Sequence, residues 1–499
     1  MILSFVLYLV VLLGLGLYAS RFIKSLKGFL LADRSMGPFV TALSAEASAM
    51  SGWLLIAIPA RAFTYGLAAI WVGLACVMGD AVSWLSVSKR LRRQTERLRA
   101  LTLPEYFEKR FAKEGGYAVQ LVATLGIMVF MLIYLWAQFV AAGKAMSAIL
   151  DYVDYPEATL LAAIIIIVYT LLGGFRAVAW TDFLQGFMML LALTMLPLIC
   201  LAKVGGWNAL MGHLSQVSSE MPGTASSNLD HWFAGLTGLV LFTFLFEDAG
   251  VGVGYVGQPH ISARYMAVRK VAHLKTAFMV SVCWNLLAVS GAVLLGLTAH
   301  YWYRFAAAET VQSRLDSALI FNVEQVLPMM ARQVLDPWVA GILVSATLAA
   351  IMSSADSFLL SAASSMTRDV YQRIFRQQAS ERELLKISRV VTIGLGTGAL
   401  TLALSTDPWD PEATVYQLVL YAWGGLSACF TAPLVMALFY RKMTRAGCLA
   451  GILIGAGTSL VWRNIEALSS VAYELIPSVI VSGCTIWVVS RLTWNGDPK

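Results

Sequence analysis

The chain has 499 residues, of which 59% are hydrophobic and 13% are charged, and its formal net charge is +7. Soluble domains contain about 25% charged residues, so this composition excludes a soluble enzyme or a soluble regulatory protein. The six cysteines lack CxxC spacing, and the five histidines form no cluster with carboxylates. The sequence therefore predicts neither a disulfide framework nor a zinc site.

Apolar segments of about 20 residues, enough to cross a ~30 Å hydrocarbon core as helices, recur through the chain. Because strand-like alternation is absent, we expect an all-α integral membrane protein. The first segment has no basic region and no small-residue cleavage pattern, which predicts a retained helix rather than a signal peptide. We predict thirteen transmembrane helices, at 2–20, 37–62, 66–88, 117–148, 157–174, 180–202, 233–256, 274–299, 338–364, 388–405, 414–440, 447–462 and 474–490.

Basic residues fall on alternate connections, which predicts the orientation of the chain. These connections hold 29 of the 36 Lys and Arg residues, and the opposite connections are richer in acids. Because cytoplasmic loops collect Lys and Arg, the N-terminus is expected outside and the C-terminus in the cytoplasm. The longest outer connection, 300–336, holds an amphipathic stretch at 318–334 that would cap the outer face. The basic excess is then an orientation signal, so nucleic-acid binding is not expected.

Two apolar segments are interrupted by small and polar residues. Phe39–Leu55 (FVTALSAEASAMSGWLL) has Ala, Ser and a glutamate at its centre, and Phe244–Tyr255 (FLFEDAGVGVGY) has glycines at 250, 252 and 254. Small residues let helices approach closely, and irregular backbone is tolerated where it lines a cavity. Two interrupted segments in corresponding places of two halves are typical of a transporter's substrate site.

Six carboxylates lie in or beside the apolar segments, where a charge costs about 2.5–3.5 kcal/mol at a helix centre. In LAAIMSSADSFLL, Ser353, Asp356 and Ser357 share one helix face. Hydroxyl and carboxylate oxygens suit a small hard cation such as sodium. The alternative is that these groups only hydrogen-bond neighbouring helices. The six carboxylates are Glu46, Asp80, Asp182, Glu247, Asp248 and Asp356.

Longer motifs occur in order between about residue 30 and residue 462. They are FVTALSAEASAMSGWLL, TLPEYFEKRF, GGFRAVAWTDFLQ, GYVGQPHISARYMA, DPWVAGILVSATLAAIMSS and YAWGG. By these motifs the chain resembles the sodium/solute symporter family, and within it the sodium/proline symporters. The resemblance implies one transmembrane transporter domain with an amino-acid-transporter-like fold. An extra N-terminal helix (2–20) would precede two inverted five-helix repeats (37–202 and 233–440), each with a broken first helix, and two C-terminal helices (447–490) would follow.

The same resemblance implies sodium sites. The main site would take backbone carbonyls at the first broken helix and hydroxyls on a later helix. Some relatives hold a second cation, which here would fall at Asp182, Asp356 and Ser357. The residues of this chain that match the main site are Ala47, Met50, Ala350, Ser353 and Ser354.

Substrate contacts implied by the family lie on both broken helices and one further helix. They match Ser51, Trp53, Tyr134, Tyr255 and Pro259. This chain departs from the proline symporters by carrying Glu46 where they have glycine, Ala49 where they have aspartate, and Val251 where they tend to have tryptophan. Because Glu46 and Asp248 add carboxylates beside the two breaks, we include both as candidate substrate contacts.

We therefore expect a sodium-coupled symporter that imports proline or a similar small amino acid by alternating access, and no enzymatic activity. The alternatives are a sodium- or proton-coupled symporter of a cationic amino acid or amine, and a transporter-like solute sensor. The sensor is disfavoured because no kinase or receiver stretch follows the last helix. The expected setting is the inner membrane of a bacterium, with lipid as the surroundings and no obligatory protein partner.

Overall fold

The computed structural model describes residues 2–21, 26–111, 116–149, 153–220, 229–233, 235–309, 323–408, 410 and 414–494. Within these ranges the regular structure is helical, apart from one isolated bridge between Met36 and Val268. The prediction of an all-α protein is therefore confirmed. Of the predicted amphipathic stretch 318–334, residues 318–322 lie outside the described ranges, and the remainder includes a short helix.

Helices of very different length alternate in the first half of the chain. The longest of them bends at Gly174 (φ 52°), which separates the two predicted segments 157–174 and 180–202. The helices are α1 Ile2–Ser20, α2 Leu26–Leu31, α3 Pro38–Gly52, α4 Ile58–Tyr65, α5 Ile70–Val82, α6 Lys89–Arg97, α7 Leu103–Arg110, α8 Ala118–Ile149, α9 Tyr155–Val204 and α10 Trp207–Glu220.

The second half has the same mixture of long and short helices. They are α11 Gly238–Gly254, α12 Pro259–Ala267, α13 His273–Glu309, α14 Val326–Val334, α15 Pro337–Ser365, α16 Glu381–Leu404, α17 Val415–Phe439, α18 Arg445–Asn464, α19 Glu466–Ser469 and α20 Leu475–Leu492. Proline at the first helical position starts α3, α12 and α15, where its missing N–H costs nothing. Thr414 caps α17 by accepting a hydrogen bond from the backbone N–H of Gln417.

Ten helical runs among the described residues are long and apolar enough to cross a membrane. Two shorter apolar helices, Leu3–Ala19 and Tyr155–Leu171, accompany them. The first of the ten runs, Pro38–Arg97, contains two of the predicted segments, 37–62 and 66–88. The chain is thus a multi-pass membrane protein, and the number of thirteen crossings stays a prediction.

The basic connections meet at one end of the helix bundle. Arg368 forms an ion pair with Glu105, and Arg445 forms one with Glu108. Burial tends to raise the pKa of Glu105, but Arg368 and Lys109 outweigh it and hold that pKa below its ordinary value. These contacts tie α7 to α18 and to the turn that follows α15, at what we call the basic end, which comprises the connections 89–111, 366–376 and 440–445.

Helix α3 lies at the centre of the bundle. It packs against α9, α13 and α15, and its residues from Thr41 to Gly52 are buried. Helices α5 and α11 cross so closely that a Cβ on Gly252 would stand 2.4 Å from the carbonyl oxygen of Ala75. The interior around α3 is thus built from small residues, and the polar groups there have no access to solvent.

Candidate functional site

The first break lies in α3, where Ser51 leaves the helical conformation (φ 51°, ψ −168°). The break lies within the predicted stretch 39–55. Beyond it, residues Trp53–Ala57 form a π-helical turn that leads into α4. The Gly52 N–H donates to the side chain of Gln138 at 3.3 Å, and the Trp53 N–H donates to the Ser51 hydroxyl at 3.2 Å. The backbone therefore departs from the helix in the middle of the protein, where it can offer polar groups to a bound solute.

The second break lies just after α11 and not within it. The helix runs through the glycines at 250, 252 and 254, and the irregular part is the turn Tyr255–Gly257 with the extended Gln258. The Gln258 side chain donates to the carbonyl of Trp423 at 3.2 Å and to the Ser427 hydroxyl at 2.8 Å. The glycines serve a different purpose, because a Cβ on Gly254 would collide with the Trp423 indole. Our interpretation of these glycines as the break itself was wrong.

Four of the five predicted sodium ligands meet where α3 and α15 touch. The Ser353 hydroxyl lies 2.9 Å from the carbonyl oxygens of both Ala47 and Ala350. The Ser354 hydroxyl lies 3.3 Å from the same Ala47 carbonyl and 3.1 Å from the carbonyl of Ser48. The fifth, Met50, has its carbonyl hydrogen-bonded to the Trp53 N–H instead. The cluster, which we call the serine cluster (Ala47, Ala350, Ser353, Ser354), contains oxygen ligands only.

An arginine lies among the residues of the predicted second cation site. The Arg264 guanidinium is 2.9 Å from the Asp182 carboxylate, and it also donates to the hydroxyls of Ser48 and Ser357. Asp182 accepts further hydrogen bonds from Ser44 at 2.6 Å and from Ser48. The third member, Asp356, is buried and accepts from Ser357 at 3.2 Å. The fixed positive charge of Arg264 thus stands where a mobile cation was expected.

The sequence does not single out Arg264, because this residue falls between the predicted helices 233–256 and 274–299, in a connection rich in basic residues. Its side chain is only 2% exposed, and it projects from α12 into the protein. A signal for its position was present in the sequence, since Ser44 and Ser48 are one turn apart on α3 and form a polar stripe in an apolar helix. A buried cation with several hydroxyl partners is what such a stripe accommodates.

An aromatic cavity lies beside the first break. It has a volume of about 10 Å³, and Trp53, Tyr134 and Tyr255 are among its walls. Tyr255 and Trp423 meet edge to face at 5.0 Å between ring centroids, and Trp53 stacks on Tyr416 at 6.0 Å. Three predicted substrate contacts are therefore brought together, while Pro259 lines a different cavity with Phe175 and Leu360. The complete set of lining residues is Ala49, Trp53, Cys76, Tyr134, Val251, Tyr255, Val419, Leu420 and Trp423.

Glu46 and Asp248, the carboxylates added beside the two breaks, contact side chains outside the aromatic cavity. Asp248 lies 2.9 Å from the guanidinium of Arg61, which also pairs with Glu247 at 3.4 Å. Glu46 accepts a hydrogen bond from the Ser281 hydroxyl, which lies 3.0 Å from Asp80. Neither Glu46 nor Asp248 lines the aromatic cavity. Arg61 thus pairs with both acids of α11 and not with Glu46.

The sequence of this chain is similar to a family model and to two transporters of known name. Residues 29–455 match the model of the Sodium:solute symporter family. The chain is 36% identical over 493 residues to the sodium/proline symporter of Escherichia coli (strain K12), which covers 99% of this chain and 93% of that protein. It is 34% identical over 495 residues to the osmoregulated proline transporter OpuE of Bacillus subtilis (strain 168), covering 99% and 94%.

Solved structures share the fold. A Na+-coupled sialic acid symporter in a substrate-bound, outward-open state superimposes with a TM-score of 0.78 at 18% identity, covering 99% of this chain and 98% of that one. MhsT in complex with L-phenylalanine gives a TM-score of 0.52 at 13% identity, covering 91% and 97%. The family model spans most of the sequence and two full-length relatives exceed 30% identity, so the chain belongs to the sodium:solute symporter family.

Proposed function

We propose that this protein is a sodium-coupled symporter that imports proline by alternating access. The observation that carries the proposal is the serine cluster, in which oxygens of the broken α3 and of α15 converge beside an aromatic cavity. The E. coli and B. subtilis relatives named above are proline transporters, which supports proline as the substrate. Sodium is the co-transported ion, in keeping with the family.

The serine cluster would bind sodium through carbonyl and hydroxyl oxygens, which are the ligands a small hard cation prefers. The hydroxyls of Ser353 and Ser354 now donate to the Ala47 carbonyl. On binding, their protons would turn away so that the oxygen lone pairs face the ion. Because the ligands come from both α3 and α15, sodium would hold the broken helix against α15 and stabilise one arrangement of the two. Met50 would join the site only after its carbonyl releases the Trp53 N–H.

The group around Asp182, Asp356 and Ser357 is occupied by Arg264 in the arrangement seen here. Two carboxylates and one guanidinium are buried there together. For a sodium ion to enter, the Arg264 guanidinium would have to withdraw from Asp182. We therefore place the principal sodium site at the serine cluster and regard the Asp182 group as a site that α12 occupies or vacates as the bundle rearranges.

Proline would bind in the aromatic cavity after the cavity opens. A volume of about 10 Å³ holds at most one water molecule, so Trp53 and Tyr255 must separate to admit the ring. None of the described lining side chains is basic, so the substrate carboxylate needs another partner. The N-terminus of α12, beginning at Pro259, would supply it, together with the Gly52 and Trp53 N–H groups of the first break once these release Gln138 and Ser51.

The finer architecture completes the proposal. We infer thirteen membrane crossings, with inverted five-helix repeats at 37–202 and 233–440, an N-terminus outside and a C-terminus in the cytoplasm of a bacterium. The gathering of Arg368, Arg445 and their neighbours at the basic end supports placing that end in the cytoplasm. Rocking of one repeat against the other would then carry sodium and substrate inward.

Replacing Ser353 or Ser354 by alanine is expected to raise the sodium concentration for half-maximal proline uptake about tenfold or more, because each removes a ligand oxygen. The measurement is uptake into proteoliposomes over a sodium gradient series. Ser365→Ala is the matched control, since Ser365 is also buried on α15 but lies about three turns away. Equal sodium dependence in all three variants would remove the serine cluster from the mechanism.

Tyr255→Ala is expected to weaken proline binding while sodium still binds. Its ring forms a wall of the aromatic cavity and packs against Trp423. An aromatic contact of this kind contributes about 0.5–1.5 kcal/mol beyond the area it buries. Binding of labelled proline and of sodium to the purified variant separates the two effects, and wild-type proline affinity would contradict the assignment. Tyr106→Ala is a control for a buried tyrosine far from the cavity.

A further inference from the structure

A pair of carboxylates between α3, α5 and α13 stands apart from the sites described above. The Ser281 hydroxyl donates to Glu46 and lies 3.0 Å from Asp80, so one hydroxyl bridges two acids. Glu46 and Asp80 are each 1% exposed, and the second oxygen of Glu46 has no hydrogen-bond partner among the described residues. The two acids are therefore close together, shielded from water and incompletely satisfied.

Most other buried carboxylates among the described residues have a basic partner, although Asp356 and Asp369 accept hydrogen bonds from hydroxyl or amide groups and form no ion pair. Asp182 has Arg264, Asp248 has Arg61, and Glu324 has Lys144 at 2.6 Å. No Lys, Arg or His in the described part of the chain forms an ion pair with Glu46 or Asp80. A buried charge is normally paired or coordinates a metal ion. The pair thus lacks the cation that most other buried carboxylates among the described residues possess.

A second, independent feature lies beside the pair. Asn285 is completely buried, and neither its amide oxygen nor its amide nitrogen has a hydrogen-bond partner among the described residues. It lies one turn from Ser281 on α13, and one turn further Val289 packs against Gly73 of α5. Since Ser281 and Val289 both face α5, Asn285 between them faces α5 as well. Side chains on a helix lean toward its N-terminus, which directs the amide toward Ser281 and the carboxylates.

We propose that Glu46, Asp80, Ser281 and Asn285 form an additional binding site for a sodium ion, separate from the serine cluster and from the Asp182 group. They offer two carboxylates, a hydroxyl and an amide oxygen from three different helices, and this donor set suits a small hard cation. The ion would neutralise one of the two negative charges and satisfy the free Glu46 and Asn285 oxygens. Because Glu46 adjoins Ala47 of the serine cluster, an ion here would also fix the backbone that supplies the first site. The inference rests on sodium coupling as proposed above.

The test is equilibrium binding of radioactive sodium to the purified full-length protein. The double variant Glu46→Gln with Asp80→Asn keeps the side-chain shapes and is expected to bind one sodium ion fewer per chain than wild type. Asn285→Leu should raise the half-saturating sodium concentration of that ion about tenfold, which is ~1.4 kcal/mol. A purely structural Asn285 predicts unchanged sodium binding and equal or higher thermal stability, because replacing an unpartnered buried amide by a hydrocarbon is neutral or stabilising. Glu474→Gln, a buried acid paired with Arg463, is the control and should bind like wild type.

Two results would overturn the inference. One is a double variant that binds sodium with wild-type number and affinity. The other is a double variant whose pH dependence changes while its sodium binding does not, since the pair would then hold a proton and no metal ion. Ser353→Ala distinguishes the two proposals: it should weaken the ion at the serine cluster and leave the ion at Glu46 and Asp80. If Ser353→Ala leaves all sodium binding unchanged, the assignment of the serine cluster fails, while the site at Glu46 and Asp80 stands.

Discussion

Arg264→Gln is expected to abolish sodium-dependent uptake and to lower the thermal stability of the purified protein. The guanidinium lies 2.9 Å from Asp182, and both side chains are at most 2% exposed. Removing one partner of a buried ion pair costs about 3–5 kcal/mol, because the other charge is left without compensation. The hydroxyls of Ser48 and Ser357 would also lose a donor. Thermal unfolding in detergent and uptake into proteoliposomes measure the two effects separately.

The double variant Arg264→Gln with Asp182→Asn shows which part of the loss is structural. With both charges gone, no uncompensated charge remains, so much of the stability should return. Uptake should remain impaired. A neutral side chain at position 182 cannot attract the cation that would replace Arg264 as the bundle rearranges. Arg92→Gln is the matched control. Arg92 is buried like Arg264, but it lies at the basic end and bonds to the Val268 carbonyl and Glu96 instead of Asp182. A stable, fully active Arg264→Gln protein would contradict this role.

The first break was predictable because its cause is local. The stretch from Ser44 to Gly52 is rich in Ser, Ala and Gly, which let α9 and α15 approach closely, and it ends in Ser51 and Gly52, which are weaker helix formers than alanine. The serine cluster was predictable for a similar reason, since Ser353 and Ser354 are adjacent in one helix. Their partner, the Ala47 carbonyl, came from the family resemblance rather than from any pattern in the residues.

The second break was misplaced because glycine has two uses. In α11 the glycines at 252 and 254 permit close contact with Ala75 and Trp423. The helix continues through them, and neighbouring helices pack against its backbone there. The actual break begins at Tyr255 and ends at Pro259, which restarts the helix. Composition alone does not separate a glycine that breaks a helix from a glycine that lets another helix approach.

The partners of the buried charges were not predictable, because they depend on which helices are neighbours in space. Asp80 and Glu46 are 34 positions apart, and Ser281 is more than 200 positions from both. Arg264 is buried although it opens a basic stretch, and no periodicity distinguishes it from Arg269 or Lys270. Tertiary packing decides whether a charge meets a counter-charge, and a single sequence carries little information on which helices pack together.

The ion pairs of Arg61 connect the aromatic cavity to the end of the bundle opposite the basic end. Arg61 is 2.9 Å from Asp248, and its guanidinium packs over the Tyr416 ring at 5.1 Å. Tyr416 donates to Glu247 at 2.8 Å and stacks on Trp53, which forms a wall of the cavity. A solute that approaches Trp53 from this end must therefore displace the contacts around Arg61. We call the path from this end to the cavity the outer route, because this end faces outward in the orientation proposed above.

Asp248→Asn is accordingly expected to open the cavity to the outside and to speed the modification of Cys76 by a hydrophilic thiol reagent about tenfold or more. Cys76 lines the cavity and is buried, so its labelling rate reports how often the outer route opens. A tenfold increase corresponds to ~1.4 kcal/mol in the opening equilibrium, a modest share of what a buried pair contributes when one partner is neutralised.

Cys76→Ser identifies the labelled residue, because Cys283 and Cys484 are exposed. Lys144→Gln is the matched control: it breaks the buried pair with Glu324 at 2.6 Å, away from the cavity, and should leave Cys76 labelling unchanged. If Asp248→Asn labels no faster than wild type, Arg61 does not close the route to the cavity.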